Sequence, residues 1–205
     1  MRILITAGGT REYIDPVRFI SNASSGRMGY ALAREALKAG HKVILVTTPT
    51  AQRPPSGAKV MKIETAAQMF EAVKQHFEKC DCLIMAAAVA DYTPARPAKT
   101  KIKKTSKYLT IKLKPTADIL KWAGKNKKKN QIVIGFALED KAVRIGAEKK
   151  LKDKNLDMII ANTPAAIGAE KSTVQIKTSG SHWSKIENAT KITTAKRIIR
   201  LIQNL

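Results

Sequence analysis

Three clusters in this 205-residue chain are placed where chemistry is possible. The first is Ser21-Asn22-Ala23-Ser24-Ser25-Gly26, just ahead of a stretch with helical periodicity. Hydroxyls, an amide and a glycine there put donors at a helix N-terminus, where the dipole favours an anion. An ordinary polar N-cap uses the same residue types. The position after a strand favours a ligand, because open α/β sheets bind beyond the carboxyl ends of their strands. The second cluster, Met85-Ala86-Ala87-Ala88-Val89-Ala90-Asp91, closes an apolar run. Small side chains there let a flat ring or a ribose reach the backbone, and Asp91 suits a sugar hydroxyl or a magnesium ion. A packed strand followed by a turn aspartate explains the same residues equally well. The third is Lys101-Ile102-Lys103-Lys104. Lysines on a mobile segment can close over a triphosphate and neutralise charge on a leaving group. A lone charge run is also the mark of a solvated loop, and that alternative applies equally to Lys149, Lys150, Lys152 and Lys154.

The elements that must carry these clusters alternate along the chain. Arg2 to Ala7 is an apolar run closed by Gly8-Gly9, as suits a buried parallel strand. Met28, Ala31, Leu32 and Ala36 share a helical face, and Gly40 is placed to end that helix. Lys42 to Thr47, Val60 to Ile63, Cys82 to Ala88, Ile132 to Ala137 and Leu156 to Ala161 read as further strands. Thr65 and Gln68 have capping-box spacing ahead of a Met69, Phe70, Val73, Phe77 stripe. Helices are predicted over 117–125, 142–152 and 189–203. This alternation predicts an α/β fold with a Rossmann-like, doubly wound, mostly parallel sheet. Residues 89–107, with Pro94, Pro97 and clustered basic residues, predict a long flexible lid. Tyr108 to Lys114 alternates as a half-exposed strand does, and its edge would invite pairing with a second copy. Val174 to Ile176 and His182 to Ile186 predict a small antiparallel extension, so that residues 1–205 form a single domain.

Composition narrows the function classes. The net charge of +22 attracts polyanions, whether nucleic acid, an anionic membrane or small phosphorylated substrates. Aromatics make up only 5%, so stacking platforms for a nucleic-acid-binding module are scarce, and binding to nucleic acid is expected to be weak and salt-sensitive. Two cysteines, Cys80 and Cys82, make no disulfide framework, and no run is long enough for a signal peptide or a membrane span. A cytoplasmic location follows. A nicotinamide-dependent Rossmann reductase would explain the βαβ start, but G-x-G-x-x-G is missing, and Thr47-Thr48 stands where a dinucleotide fold would place an acid. There is neither a Walker A motif nor a serine or cysteine nucleophile with a histidine partner.

Taken together, ITAGGTREYIDPVRFISNASSGRMGYALA, AAAVADY, KIKK, GFALE and LDMIIAN resemble the phosphopantothenoylcysteine synthetase family across nearly the whole chain. The resemblance is to the stand-alone, bacterial-type domain. The chain starts at the first synthetase strand, without the flavin-dependent decarboxylase often fused ahead of it; such a decarboxylase would be a separate partner. The resemblance implies a ligase that joins cysteine to 4′-phosphopantothenate in coenzyme A biosynthesis, through an acyl-nucleotide and with release of pyrophosphate. It implies Mg2+ and a homodimer, and the KIKK run points to the CTP-using branch, ATP being the alternative.

By the same resemblance, Asn22 and Lys101 are the catalytic residues. Arg18, Asn22 and Ala87 lie beside the pantothenate portion. Gly8, Ser24, Gly26 and Gly29 fall on the phosphate-contacting turn and helix start, and Lys150 and Lys154 on the triphosphate. Met85, Ala86, Ala87 and Phe136 fall on the base, Asp91 on the ribose, and Asp118, Ile119, Leu120 and Asn162 on the remainder of the nucleotide site. Metal ligands stay unassigned. One departure is Ala117, where bacterial members usually carry proline.

Overall fold

In the computed structural model, which describes residues 1–106 and 108–205, the elements follow the predicted alternation. Strand β1 (Arg2–Ala7) leads into a hairpin, β2 (Arg11–Tyr13) and β3 (Phe19–Ser21), and then helix α1 (Arg27–Lys38). Next come β4 (Lys42–Thr47), β5 (Lys59–Lys62), α2 (Ala66–Phe77) and β6 (Cys82–Met85). A short pair, β7 (Tyr92–Pro94) and β8 (Leu113–Pro115), precedes α3 (Ile119–Asn126). The chain continues through β9 (Ile132–Leu138), α4 (Val143–Asp153), β10 (Met158–Asn162), β11 (Lys171–Thr178), β12 (Ser184–Thr190) and α5 (Lys191–Ile202).

One eight-stranded sheet runs β12-β11-β10-β9-β6-β1-β4-β5. From β5 to β10 all neighbours are parallel; β11 and β12 add on antiparallel. The chain steps outward from β1 through β4 to β5, then returns to the other side of β1 with β6. That reversal is the topological switch point of a Rossmann-type sheet, where a crevice opens beyond the strand ends.

Both faces are covered, which is why the central strands read as continuous apolar runs. Ile3, Ile5 and Ala7 face α1 and α5; Leu4 faces the layer of α2, α3 and α4. Burying each large aliphatic side chain of this kind contributes about 1.5–3 kcal/mol. Helix α2 starts with the expected capping box: the Thr65 hydroxyl accepts from Gln68 N, and the Gln68 amide oxygen accepts from Thr65 N. The short hairpin β2–β3 fills the first βα connection, where the sequence suggested only a loop.

Two expectations change. The strand predicted over 82–88 stops at Met85. Of the strand predicted over 108–114, only Leu113–Pro115 is formed, pairing with β7, while Tyr108 and Leu109 stand exposed. Alternation alone does not make a strand where no neighbour offers a ladder. Lys107, the last residue of the predicted lid, lies outside the described residues.

Candidate active site

The cleft begins where β6 ends. Past Met85 the backbone leaves the ladder because side chains of the neighbouring strand region intercept it. The Thr6 hydroxyl accepts from Ala87 N at 3.1 Å, and the Thr10 hydroxyl from Ala90 N at 2.9 Å. Ala88 bridges to Gly9 instead, with Ala88 N donating to the Gly8 carbonyl and Thr10 N to the Ala88 carbonyl. Residues 86–90 are thereby held away from β9, and a cavity of about 550 Å³ opens at the carboxyl ends of the parallel strands.

Its walls come from five places. Residues 22–28 supply one, Met85 to Val89 with Asp91 a second, Thr116 to Leu120 a third, Phe136, Leu138, Lys150, Lys154 and Asn162 a fourth, and Ala166 to Ala169 with Lys191 a fifth. The structure thus brings together most residues expected from sequence: Asn22, Ser24, Gly26, Met85, Ala86, Ala87, Asp91, Asp118, Ile119, Leu120, Phe136, Lys150, Lys154 and Asn162. Asn22 is fixed by its amide N–H to the Ala88 carbonyl at 3.1 Å, tying the serine-rich turn to the alanine segment. The Thr116 hydroxyl donates to the Ala90 carbonyl at 2.6 Å, and Thr116 N to the Asp91 carbonyl, so the second and third walls are joined.

Gly8, Gly29, Arg18 and Lys101 do not line the cavity. Gly8, at φ +86°, makes the sharp turn after β1, a left-handed conformation that glycine adopts without cost. Gly29 is buried inside α1, where a methyl group would lie 2.5 Å from Ala7 Cβ. It allows the helix to approach β1 rather than touching a ligand. Arg18 and the segment of Lys101 are joined through Asp15. The fully buried Asp15 carboxylate accepts from Val17 N, Arg18 N and Ile102 N, and from Arg18 Nε and Nη2. Arg18 Nη2 also donates to the Ile102 carbonyl at 2.6 Å. Burial alone would raise the Asp15 carboxyl, but Arg18 and the three backbone N–H groups hold it well below the usual carboxylate range. The residue after Lys101 is therefore docked on the β2–β3 turn.

Charge is unevenly distributed inside the cleft. Asp118 caps α3, one oxygen accepting from Lys121 N at 2.9 Å and the other pairing with Lys154 at 2.7 Å. Burial acts to raise the Asp118 carboxyl, and the Lys154 pair and capped N–H outweigh it, so its pKa falls. Lys150 donates to the Phe136 carbonyl at 2.9 Å. Burial lowers its pKa, Lys154 lowers it further, and Glu139, Asp118 and Asp91 oppose both. No hydrogen bond or ion pair engages the Asp91 side chain among the described residues. Arg27 and Lys191, which the sequence reading did not single out, also line the cavity. Among the described residues no group of three or more His, Cys, Asp or Glu side chains is placed to hold a metal ion. Burial pushes the Cys80 thiol up to about 11 and raises that of Cys82 well above the usual thiol value, so neither supplies a ready thiolate.

Fold and cleft together define an open, doubly wound α/β domain of the Rossmann type, with its site at the switch point. Residues 1–205 match the family described as DNA/pantothenate metabolism flavoprotein C-terminal domain, and the chain belongs to that family. A cysteine/cysteine sulfinic acid decarboxylase from an unknown prokaryote is 47% identical over all of this chain and 58% of its own length. The coenzyme A biosynthesis bifunctional protein CoaBC of Borreliella burgdorferi is 42% identical over 98% of this chain and 52% of its own. The chain spans about half the length of the curated relatives it matches. The crystal structure of the C-terminal domain of a CoaBC protein superposes with a TM-score of 0.86, at 41% identity, covering 99% of this chain and 94% of that one. No helix of the described residues is long and apolar enough to cross a membrane.

Proposed function

We propose that this chain is the ligase that joins cysteine to 4′-phosphopantothenate in coenzyme A biosynthesis, with CTP as its nucleotide. The observation that carries this reading is the whole-chain likeness to the C-terminal domain of CoaBC, combined with a cleft whose walls hold Asn22, the 85–91 segment, Asp118 and Phe136. The substrate carboxylate attacks the α-phosphate of CTP, forming an acyl-cytidylate and releasing pyrophosphate. The cysteine amine then attacks the acyl carbon, and CMP leaves with the bonding electron pair. No protein nucleophile is required.

In this reading the 85–91 backbone and Phe136 receive the base, and Asp91 the ribose. Lys150 and Lys154 belong to the nucleotide's site. Asn22, fixed against the Ala88 carbonyl, positions the acyl-cytidylate. Lys101, outside the cavity on a segment held at Ile102 by Asp15 and Arg18, is assigned to the charge developing at the α-phosphate, which it reaches when that segment closes over the cleft. Mg2+, when carried in on the triphosphate, would neutralise phosphate charge, and its protein ligands stay unassigned. The working unit is proposed to be a homodimer in the cytoplasm, with any decarboxylase acting as a separate or fused partner.

The test is pyrophosphate release from purified protein with 4′-phosphopantothenate, cysteine, Mg2+ and either CTP or ATP. Release with CTP that depends on phosphopantothenate is expected. Release only with ATP would keep the ligase and overturn the nucleotide. No release with either would refute the reading. Lys101→Gln is expected to slow acyl-cytidylate formation, and unchanged turnover would remove Lys101 from its assigned role.

A further inference from the structure

Helices α1 and α5 form one outer layer of the fold and lie side by side, parallel and in register. Their first residues, Arg27 and Lys191, both reach the cleft. Past their last residues, Gln203 Nε2 lies 3.3 Å from His41 Nε2. Each helix has 12 residues, so the layer runs about 18 Å away from the cleft. The apolar faces are turned into the core: Leu32, Ala33 and Ala36 of α1 and Ala195, Ile198, Ile199 and Ile202 of α5 are buried. The outward side is basic. Arg34 and Lys38 are neighbours on α1, one turn apart, and Lys196, Arg197 and Arg200 are neighbours on α5. Helix α5 contains no acid. Helix α1 contains one, Glu35, which is buried and already paired with Lys38 at 2.8 Å. On the adjoining edge strand Glu187 is paired with Lys185. Among the described residues, Arg34, Lys196, Arg197 and Arg200 make no hydrogen bond or ion pair. The layer of α2, α3 and α4 is mixed in sign instead: Lys74 pairs with Glu71, Lys154 with Asp118 and Lys177 with Glu148.

We propose that the outer face of α1 and α5 docks the phosphate backbone of a nucleic-acid duplex, with Arg34, Arg197 and Arg200 as its main phosphate contacts. The surface lies outside the cleft and does not depend on the ligase reading. A guanidinium presents forked donors that match a phosphate, and these three give up no partner in doing so. A duplex carries one negative charge per ~1.7 Å of axis, so about ten phosphates pass along a layer of this length. Two features favour a duplex backbone over other polyanions. The one aromatic ring on these helices, Tyr30, is buried, so an unstacked single strand finds no stacking platform. Apart from Ile192 their large apolar side chains pack on the core, so there is no wedge to enter a bilayer. Contacts to phosphate alone carry no sequence information, which agrees with the weak, salt-sensitive binding expected from composition.

The test is fluorescence anisotropy of a labelled duplex of about two helical turns, titrated with the full chain between about 50 and 200 mM salt. In the triple variant Arg34→Gln, Arg197→Gln, Arg200→Gln, the slope of log affinity against log salt is expected to flatten by about 2.7, three contacts at about 0.9 each. The triple variant Lys121→Gln, Lys125→Gln, Lys129→Gln removes the same charge from exposed positions on and after α3 and is expected to keep the wild-type slope. Arg200→Gln alone, expected to flatten the slope by about 0.9, carries the test should the arginine triple fail to fold. Equal flattening in both triples would reduce the effect to net charge and overturn the proposal. So would no binding by the wild type at about 50 mM salt. Binding through the same arginines to phosphatidylserine vesicles, with none to the duplex, would give the face to a membrane and overturn it as well. Duplex binding involves neither CTP nor turnover, so its failure would leave the ligase reading standing, and a failed ligase assay would leave this surface standing.

Discussion

Replacing Gly29 with alanine separates a packing role from a ligand-contacting one. A methyl at Gly29 would lie 2.5 Å from Ala7 Cβ, 2.9 Å from the Thr6 carbonyl oxygen and 3.1 Å from Ala7 Cα. Carbon atoms in comfortable contact are ~3.5–4.0 Å apart, so α1 and β1 must part by about 1 Å. Neither neighbour can give way cheaply: Ala7 has no rotamer to change, and the Thr6 carbonyl belongs to the central sheet. Overpacking of this kind costs about 1–3 kcal/mol. Against it stands the better helix propensity of alanine, worth about 1 kcal/mol. The rigid surroundings put the cost at the upper end, leaving the variant about 1–2 kcal/mol less stable. For a chain of this size that lowers Tm by about 2–8 °C, read by circular dichroism at 222 nm. Gly180→Ala, where a methyl meets nothing within 4 Å, is the control and should leave Tm unmoved. The displaced start of α1 carries Gly26 and Arg27 in the cleft wall, so CTP binding should weaken in parallel. A Gly29→Ala protein with unchanged or raised Tm would refute the close-approach argument.

Two further predictions concern the carboxylates. Asp15→Asn puts an amide N–H where the Asp15 carboxylate accepts Ile102 N–H and the Arg18 guanidinium, so the 98–102 segment should loosen from the hairpin turn. Trypsin should then cut after Lys101 and Lys103 several-fold faster than in the wild type, and equal cleavage rates would show that Asp15 does not hold the segment. Asp118 has a pKa lowered in the fold, so its stabilisation is complete above the ordinary carboxylate value, about 3.9, and is lost as pH falls through the folded value. Asn caps as well as Asp, so Asp118→Asn removes only the partly exposed Lys154 pair. Urea unfolding should find it about 0.5–1 kcal/mol weaker at pH 7, with the gap closing toward pH 3. A gap independent of pH would place its origin elsewhere.

The parts of the fold legible in the sequence are those whose signal is local. Apolar runs closed by glycine or threonine mark β1 and β4, and Thr65 with Gln68 marks the start of α2. The serine-rich turn and the alanine segment were legible as site residues because each closes or follows a strand, whereas Phe136, inside β9, was legible only through the family resemblance. What escaped depends on contacts distant in the chain. The β2–β3 hairpin has strands of three residues, too short to show alternation, with Phe19 and Ile20 half-exposed. The end of β6 cannot be seen in MAAAVA, because it is the hydroxyls of Thr6 and Thr10, some eighty positions earlier, that draw the backbone aside. Asp15 and Ile102 are likewise 87 residues apart. Lys191 gave one local clue, the helix-capping Thr190 before it, but its place beside Arg27 follows from α1 and α5 lying on the same face of the sheet.

The overall charge and the cleft charge therefore do different work. A net charge of +22, spread along the whole chain, raises the rate at which any anion arrives and does so less as salt rises. It cannot orient a bound nucleotide, because it has no preferred direction within the cleft. Orientation needs a gradient over the length of one ligand, and in a chain so rich in lysine that gradient is set by the acids. Asp118 pairs with Lys154, and Glu139, Asp118 and Asp91 all act on Lys150, so the acids offset part of the charge of these two lysines.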